Sequence, residues 1–272
     1  MKIIRQKKDL NMLINKINSL SFVPTMGGLH KGHEFLIKKA KKKNTATLVS
    51  IFVNPKQFNS KSDFQSYPRN IAKDIKILKK LKVKYLYLPK YKDIFSFKPK
   101  NKVYLHSFSK KLCGKHRPGH FIGVLNVVNR FLELIKPKNI FLGKKDFQQL
   151  VLIKKHIEKN KIKTLVESCR TVRDIKSIPC SSRNEGLSKY NKALASKVFM
   201  YIKKEKSLIK RNKKNRINLT SLKNKISNLG IKKIDYIEAI NLDKLTKAKK
   251  FKENFNIFSA FYIDKIRLID NI

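Results

Sequence analysis

The sequence predicts an α/β protein, with a doubly wound parallel sheet followed by a smaller α+β domain. Continuous apolar, β-branched runs, which are typical of buried strands, recur through the first 170 residues. Helical patterns of roughly 10–15 residues separate these runs, and crossovers of that length favour parallel pairing. After residue 170 the alternation ends and the chain becomes loop-like and then strongly basic. We therefore expect two domains, residues 1–170 and 171–272 of the 272-residue chain.

In the first domain each element follows from a local pattern. The run TATLVSIFV at 45–53 is the clearest buried strand, and Asn54 and Pro55 end it. The segment 112–123 is rich in glycine, proline and histidine, so we predict a loop there. The other predicted strands are 21–25, 84–88, 139–142 and 163–168, and the predicted helices are 6–19, 32–43, 69–82, 123–135 and 147–159.

The second domain lacks this alternation. Its first residues, 171–187, are predicted as a loop. The densest basic stretch, 203–216, is predicted as an exposed helix and loop, with nucleic-acid contact as the alternative. The predicted helices are 189–212 and 218–228, and the predicted short strands are 233–240 and 257–269.

The charge of the chain first suggests a nucleic-acid binder. Lys and Arg number 65 against 18 Asp and Glu, which gives a formal net charge of +47. Only ten of the basic residues are arginines, whereas planar recognition of phosphates and bases favours Arg over Lys. The lysines are dispersed along the whole chain, which is typical of a solvated surface. We therefore expect no specific nucleic-acid partner, with a selected polyanion-binding surface as the alternative.

Cysteine usage and hydropathy lead us to expect a reduced, soluble, cytoplasmic protein. The cysteines, Cys113, Cys169 and Cys180, form no C-x-x-C pair, which argues against a disulfide scaffold or a structural zinc site. No H-E-x-x-H motif is present, and we predict no metal-ligating residues. No stretch approaches the roughly 20 apolar residues of a membrane span, and we expect no signal peptide.

The segment 24–33 (PTMGGLHKGH) follows the first predicted strand of the alternating region. Open α/β sheets bind ligands at the carboxyl ends of their strands, and the glycines permit a tight turn close to a ligand. His30 and His33 lie three positions apart at the start of a helix, where N–H groups and the helix dipole favour a phosphate chain. The pattern predicts a nucleotide-phosphate site, with a capping turn as the alternative.

Three further polar segments follow predicted strands or lie at the domain junction. Gln57 follows the clearest strand and can both donate and accept hydrogen bonds. The segment 143–149 (GKKDFQQ) joins a strand to a helix, with Asp146 as a candidate helix cap and Gln149 one turn further on. At 181–183 (SSR), serine hydroxyls and a guanidinium predict a phosphate clamp. The order and spacing of Ser, His and Asp give no support to a hydrolase triad.

Taken in order, these segments resemble the pantothenate synthetase (pantoate–β-alanine ligase) family of the H-x-G-H nucleotidyltransferase-like superfamily. H-x-G-H alone is shared with many nucleotidyltransferases, so the specific signal is the ordered set, which covers nearly the whole chain. The matching segments are PTMGGLHKGH at 24–33, VSIFVNPKQF at 49–58, YPR at 67–69, RPGHF at 117–121, GKKDFQQL at 143–150, SSRN at 181–184 and RLIDN at 267–271.

The resemblance implies an ATP-dependent ligase that serves pantothenate and coenzyme A biosynthesis. Such an enzyme condenses (R)-pantoate with β-alanine through a pantoyl adenylate, and it releases pantothenate, AMP and pyrophosphate. The resemblance also implies a Rossmann-like first domain that binds ATP and pantoate, a C-terminal lid domain, Mg²⁺ dependence and a homodimer. The alternative is another H-x-G-H nucleotidyltransferase that stops at an adenylylated product.

The resemblance also implies roles for individual residues, with His33 as the proton donor. Gln57 and Gln149 would bind pantoate, and Gln57 would also meet β-alanine. The implied catalytic residues are His33, His30, Lys145 and Arg183. The implied ATP-binding residues are Met26, Gly27, Gly28, Leu29, His30, Lys31, Gly32, His33, Gly143, Lys144, Lys145, Asp146, Val172, Cys180, Ser181, Ser182 and Arg183.

Two further features bear on the binding segments. The stretch 176–180 (KSIPC) departs from the Asp-Gly-Leu-Ala pattern of the family, and Pro179 predicts a stiffer loop. Half of the ten arginines fall inside the matching segments or beside them, where we expect planar recognition of phosphate or carboxylate groups. These arginines are Arg69, Arg117, Arg173, Arg183 and Arg267.

Overall fold

The computed structural model describes residues 1–213 and 216–272. The described residues form two compact units, Met1–Thr171 and Val172–Ile272. The first unit contains a six-stranded sheet and the second a three-stranded sheet. The strands are β1 (Lys2–Ile4), β2 (Leu20–Thr25), β3 (Ala46–Ile51), β4 (Tyr85–Tyr87), β5 (Asn139–Gly143), β6 (Leu165–Cys169), β7 (Lys233–Asn241), β8 (Phe255–Ile263) and β9 (Ile266–Asn271).

All strand pairs of the first sheet are parallel, in the order β1-β4-β3-β2-β5-β6. The direction of winding reverses at β2, because β3 and β4 lie on one side of it and β5 and β6 on the other. Such a reversal defines the switch point of a Rossmann-like sheet. Ligands bind there, in the crevice outside the carboxyl ends of the strands. The predicted α/β fold class, a doubly wound parallel sheet with a smaller α+β part, is therefore confirmed.

The central strands bury side chains on both faces. Phe22 and Val23 of β2, and Leu48 and Val49 of β3, are all 0% exposed although neighbours along a strand point to opposite faces. Burial on both faces is expected for a parallel sheet that helices cover. The helices of this unit are α1 (Lys7–Ile14), α2 (Lys31–Lys41), α3 (Lys61–Gln65), α4 (Ile71–Lys80), α5 (Tyr91–Phe95), α6 (Leu112–His116), α7 (His120–Ile135) and α8 (Phe147–Lys159).

The loop predicted at 112–123 is wrong, because this segment contains α6 and the first turn of α7. Gly114 lies inside α6, where a Cβ atom would stand 1.6 Å from the carbonyl oxygen of Ser109. This glycine therefore permits close packing rather than a flexible loop. The sequence also gave no prediction of β1, α3 and α5, which are too short to show a period.

The second unit packs two helices, α9 (Lys189–Arg211) and α10 (Thr220–Asn228), with the antiparallel sheet β7-β8-β9. Its apolar core includes Phe199 of α9 and Phe261 of β8, whose ring centroids are 5.4 Å apart. The strand predicted at 257–269 is two strands instead, because the chain turns at Asp264 with φ 51°.

The basic stretch predicted as an exposed helix and loop at 203–216 begins within α9, which ends at Arg211. Lys214 and Asn215 lie outside the described residues. Within the described ranges, every helix is too short or too polar to pass through a bilayer. Cys113 and Cys169 are buried free thiols, and Cys180 is a partly buried free thiol.

Candidate active site

Three of the predicted binding segments begin where neighbouring parallel strands end. Thr25, the last residue of β2, pairs with Ile51, the last residue of β3. On the other side of β2, Phe22 pairs with Ile140 of β5 in a parallel register. The glycine turn after β2, the Gln57 segment after β3 and the lysines after β5 therefore lie along one edge of the sheet, at its switch point.

The turn after β2 depends on two consecutive glycines in the left-handed region, Gly27 with φ 81° and Gly28 with φ 60°. The N–H of Gly27 donates to Thr25 Oγ1 at 3.3 Å. The N–H groups of Gly28 and Leu29 donate to the carboxylate of Asp74, at 3.0 and 2.8 Å. The side chain of Leu29 packs in the hydrophobic core, so this residue can face a ligand only through its backbone.

His30 caps α2, which is the alternative that the sequence left open. Its Nδ1 accepts a hydrogen bond from the N–H of Gly32 at 3.1 Å, so Nδ1 carries no proton in this arrangement. The ring of His30 lies against the ring of His33, with centroids 4.0 Å apart and planes inclined by 34°. The two imidazoles of the H-x-G-H motif therefore form one cluster at the helix start.

His33 is held in its neutral form. Burial lowers its pKa well below the ordinary value, and the neighbouring His30 and the positive charge of Lys145 lower the pKa further. Its Nδ1 atom is buried and has no hydrogen-bond partner. A buried nitrogen without a partner is costly in a folded protein and needs an explanation. A polar group of a ligand that reaches His33 would supply the missing partner.

The segment after β5 brings Lys145 into electrostatic range of His33. Lys144 and Asp146 form a short 3₁₀ turn with Lys145, directly after the last residue of β5, Gly143. Asp146 stands at the N-cap position of α8, but its side chain makes no capping hydrogen bond. Its carboxylate instead lies 3.4 Å from the ammonium group of Lys145. The interpretation of Asp146 as a side-chain cap is therefore wrong.

Gln57 lies in a 3₁₀ turn after β3, with only 8% of its surface exposed. Its Nε2 is 2.7 Å from Met26 Sδ, which joins this turn to the end of β2. Its Oε1 is 3.4 Å from Asn54 Nδ2, and the same Asn54 nitrogen donates to the carbonyl oxygen of Gly123 at 3.1 Å. The predicted pantoate-binding glutamine is therefore held by contacts on both sides.

The backbone of Gln57 is fixed by the start of α7. Its carbonyl oxygen accepts from His120 Nδ1 at 2.7 Å and from Arg117 Nη2 at 3.4 Å. Arg117 Nη1 is also 3.2 Å from His120 Nε2. A guanidinium can only donate, so Nε2 of His120 accepts, Nδ1 carries the proton, and the imidazole is neutral. A Cβ at Gly123 would lie 2.1 Å from the carbonyl oxygen of Lys56, so glycine permits this close approach.

The two glutamines at the start of α8 differ in position. Gln149 is partly buried, whereas Gln148 is buried and binds the chain around α6. Gln148 Oε1 accepts from the N–H of Cys113 at 3.1 Å, and its Nε2 donates to the carbonyl oxygens of Phe108 and Lys111, both at 2.7 Å. The sequence alone gave no signal for Gln148, because adjacent glutamines look equivalent until the helix is oriented.

The chain is similar to known proteins over nearly its whole length. A sequence model of the family described as pantoate-beta-alanine ligase matches residues 2–272. The chain belongs to the pantoate–β-alanine ligase family. The pantothenate synthetase of Francisella philomiragia subsp. philomiragia is 41% identical over 274 aligned residues, which span 98% of this chain and 94% of that protein. The family resemblance derived from the motifs is thereby confirmed.

Solved structures of ligases have the same fold. The pantoate-beta-alanine ligase of Francisella tularensis, complexed with beta-gamma ATP and beta-alanine, has a TM-score of 0.84 at 39% identity and covers 100% of this chain and 97% of its own. The pantothenate synthetase of Thermus thermophilus has a TM-score of 0.89 at 26% identity, with 100% and 99% coverage.

The second unit of the ligase fold brings its own predicted residues together. The N–H of Cys180 donates to the carbonyl oxygen of Val172 at 2.9 Å. Ser181 Oγ accepts from the N–H of Arg183 at 3.3 Å and caps a 3₁₀ turn that starts at the buried Ser182. Val172 and residues 180–183 therefore form one local cluster within this unit.

The segment with the unusual Pro179 is a closed hairpin. Arg173 and Pro179 form an antiparallel bridge, and Asp174 Oδ1 accepts from the N–H groups of Lys176 and Ile178, each at 2.9 Å. Ser196 Oγ on α9 donates to the carbonyl oxygen of Lys176 at 2.6 Å. These contacts within the unit fit the stiffer loop that Pro179 predicts.

The side chains of Arg69, Arg117, Arg173 and Arg267 contact groups of the protein itself. Arg173 forms a bidentate pair with Asp270, at 2.6 and 3.0 Å, and Arg267 Nε lies 2.7 Å from Asp235 Oδ2. Arg69 donates to the carbonyl oxygens of Gln65 and Phe64, and Arg117 donates to the carbonyl oxygen of Gln57. Arg173 and Arg267 therefore pair with carboxylates of the second unit itself, and recognition of a ligand by the arginines of the motifs stays a prediction.

Proposed function

We propose that this ligase condenses (R)-pantoate with β-alanine in an ATP-dependent reaction, through a pantoyl adenylate. The match of the family to residues 2–272 carries the proposal. The cluster of His30, His33 and Lys145 at the switch point supports it, because imidazole and ammonium groups at a helix start suit a phosphate chain. The product pantothenate would feed coenzyme A biosynthesis.

In the first step the pantoate carboxylate attacks the α-phosphorus of ATP, and pyrophosphate leaves. We assign ATP binding to residues 26–33 and 143–146 of the first unit. We also assign Val172 and residues 180–183 of the second unit to ATP binding and Arg183 to catalysis, as the family resemblance implies. Catalysis of such a step rests on positioning and on stabilising the charge that moves onto the leaving group.

His33 is suited to donate a proton to the departing pyrophosphate. The imidazole of His33 is neutral because burial and nearby positive charge lower its pKa. The phosphates of ATP bring negative charge, which raises the pKa of a neighbouring imidazole. His33 can therefore take up a proton when ATP binds and give it to pyrophosphate as the P–O bond breaks, while Lys145 stabilises the same charge.

The second step belongs to the Gln57 side of the site. We assign pantoate binding to Gln57 and Gln149, and β-alanine binding to Gln57. The amide group of a glutamine can donate to the carboxylate of one substrate and accept from an amine or a hydroxyl group. The neutral β-alanine amine attacks the acyl carbon of the adenylate, the new amide bond forms, AMP leaves with the electrons of the C–O bond, and the nitrogen releases one proton to solvent.

Mg²⁺ is part of the proposal, as a companion of ATP. Within residues 1–213 and 216–272, no three or more His, Cys, Asp or Glu side chains come together as a possible cation cage. Mg²⁺ at nucleotide sites is usually held by phosphates and water with one or two carboxylates, and Asp146 beside Lys145 offers one. When bound, the ion would neutralise phosphate charge. The residues present fit this role.

We also propose that the ligase acts in the cytoplasm as a homodimer, with the second unit as a lid domain. Family resemblance supports these three statements. Size-exclusion chromatography with light scattering tests the dimer, and limited proteolysis with and without ATP tests the lid, because an ordered lid is cleaved more slowly.

A single-turnover reaction with ATP, pantoate and β-alanine, read by mass spectrometry, tests the function. We expect pantothenate and AMP in equal amounts. Omission of β-alanine should leave pyrophosphate and enzyme-bound pantoyl adenylate without AMP release. An adenylylated product that β-alanine does not consume would instead identify a nucleotidyltransferase and overturn the proposal.

A further inference from the structure

Asp74 is a buried acid that the binding motifs do not include. It lies on α4, is 1% exposed, and accepts hydrogen bonds from the N–H groups of Gly28 and Leu29. Burial of a carboxylate carries a large desolvation cost, which charged hydrogen bonds of this kind offset. The acid of α4 and the glycine turn after β2 therefore depend on each other.

The shape of the turn matches this carboxylate. Gly27 adopts φ 81°, and a Cβ at that position would lie 3.0 Å from Asp74 Oδ2 and 3.2 Å from Ile51 Cγ2. A side chain at Gly27 would therefore be strained in its backbone and crowded by both neighbours. The backbone can pass close to Asp74 because Gly27 carries no side chain.

The contact has a consequence for nucleotide binding. The N–H groups of Gly28 and Leu29 point at Asp74, so these donors serve a carboxylate of the protein rather than a phosphate chain. Recognition of phosphates then falls on the start of α2 and on side chains such as His33 and Lys145. His30 follows Leu29 directly, so the position of the histidine cluster depends on how the turn is held.

We propose that Asp74 is a positioning residue of the nucleotide site, whose carboxylate fixes the turn at Gly28 and Leu29 and thereby places His30 and His33 against the phosphates of ATP. The inference rests on the proposed function, because ATP is the ligand that is positioned. Asp74 acts through the turn and does not itself touch the substrate.

The substitution Asp74→Asn tests this role. Asparagine keeps the shape but offers one acceptor oxygen, and its amide NH₂ would face one of the two backbone donors. We expect kcat/KM for ATP to fall roughly 10- to 100-fold, because small displacements of positioned groups have effects of that size. The KM for β-alanine should stay unchanged. The measurement is the burst of pyrophosphate with ATP and pantoate, at several ATP concentrations.

Asp93→Asn is the matched control. Asp93 lies in the same unit and also accepts two backbone hydrogen bonds, from Lys90 at 2.9 Å and from Lys7 at 3.2 Å, but at the start of α5. Both of these hydrogen bonds come from residues outside the glycine turn. We expect the burst rate and the KM for ATP of Asp93→Asn to equal those of the wild type.

The burst separates positioning from simple loss of fold. Unfolding lowers the amplitude of the burst, whereas mispositioning lowers its rate constant, which does not depend on how much enzyme is folded. A wild-type rate constant and KM for ATP in Asp74→Asn would overturn the inference. If Asp74→Asn yields no folded enzyme, Asp74→Glu replaces it, because glutamate keeps both acceptor oxygens but shifts them by one methylene. The amplitude and the rate constant of its burst are interpreted in the same way. Failure of the wild type to form pantoyl adenylate would instead overturn the proposed function.

Discussion

Two histidines of the first unit, the partly buried His33 and the fully buried His156, both have a lowered pKa but differ in their hydrogen bonds. Burial lowers the pKa of both His33, at the start of α2, and His156, near the end of α8, where the pKa falls to about 4. His156 has both ring nitrogens in hydrogen bonds, whereas the buried Nδ1 of His33 has no partner. Burial and a lowered pKa are therefore common to both histidines, and the unpaired nitrogen near Lys145 is what distinguishes His33.

Removal of the His33 imidazole should have the largest effect on catalysis. We expect His33→Ala, and Lys145→Ala beside it, to slow adenylate formation about 10²- to 10³-fold, which is typical for the loss of one preorganised donor. Rapid-quench measurement of pyrophosphate release checks this, with circular dichroism as the control for folding. Wild-type burst kinetics in either variant would remove that residue from the mechanism.

The sequence predicts the histidines of the motif much better than the residues that support them. The H-x-G-H pattern after a strand was enough to place His30 and His33 at the start of α2, because the motif is local and its strand and helix are strongly patterned. The supports of the site are not local. Asp74 is 45 and 46 positions from its partners Leu29 and Gly28, and no local pattern distinguishes it from other helical acids.

Strands and helices were likewise predicted only where their local sequence pattern is strong. Long apolar runs such as β3 were predicted because burial on both faces leaves a continuous signal. The helix α6 was predicted as a loop because glycine usually marks one, whereas Gly114 there permits close packing on Ser109. Only the folded chain shows which of the two reasons applies to a glycine.

A third histidine, His120, extends the comparison to the pantoate side. Its imidazole donates to the carbonyl oxygen of Gln57 and accepts from Arg117. We expect His120→Ala to raise the KM for pantoate about 5- to 10-fold, the effect of one lost hydrogen bond, with kcat nearly unchanged. His106→Ala is the control, since His106 caps a separate 3₁₀ turn. An unchanged KM for pantoate in His120→Ala would mean that Asn54 and Gly123 suffice to hold the turn.

The neutral state of His33 predicts that the protein takes up a proton when ATP binds. The imidazole is neutral before binding, and phosphate charge raises its pKa, so ATP binding near neutral pH should take up as much as about one proton. Calorimetry in buffers of different ionisation enthalpy measures this number. His33→Gln should lower it and His156→Gln should not. Equal uptake by the wild type and His33→Gln would assign the proton to another group, such as the nucleotide itself.

His156 should affect stability and leave the chemistry alone. Its Nδ1 accepts from the N–H of Tyr104 at 3.1 Å, and its Nε2 lies 3.0 Å from Asn129 Oδ1. Protonation would place a hydrogen on Nδ1 against the N–H that now donates to it. The folded protein therefore resists the proton that the unfolded chain accepts.

The sign of the pH effect follows from the two pKa values of His156. The pKa is about 4 in the folded protein against the usual 6.5 in the unfolded chain, so this contribution to stability is complete above pH 6.5 and is lost as the pH falls toward 4. The slope can reach about 1.4 kcal/mol per pH unit, the value for one proton. Urea unfolding of the wild type and of His156→Gln between pH 7.5 and about 4.5 measures the difference. Parallel curves would show that His156 does not carry the pH dependence, and a loss of kcat in the folded variant at pH 7.5 would show that its network reaches the active site.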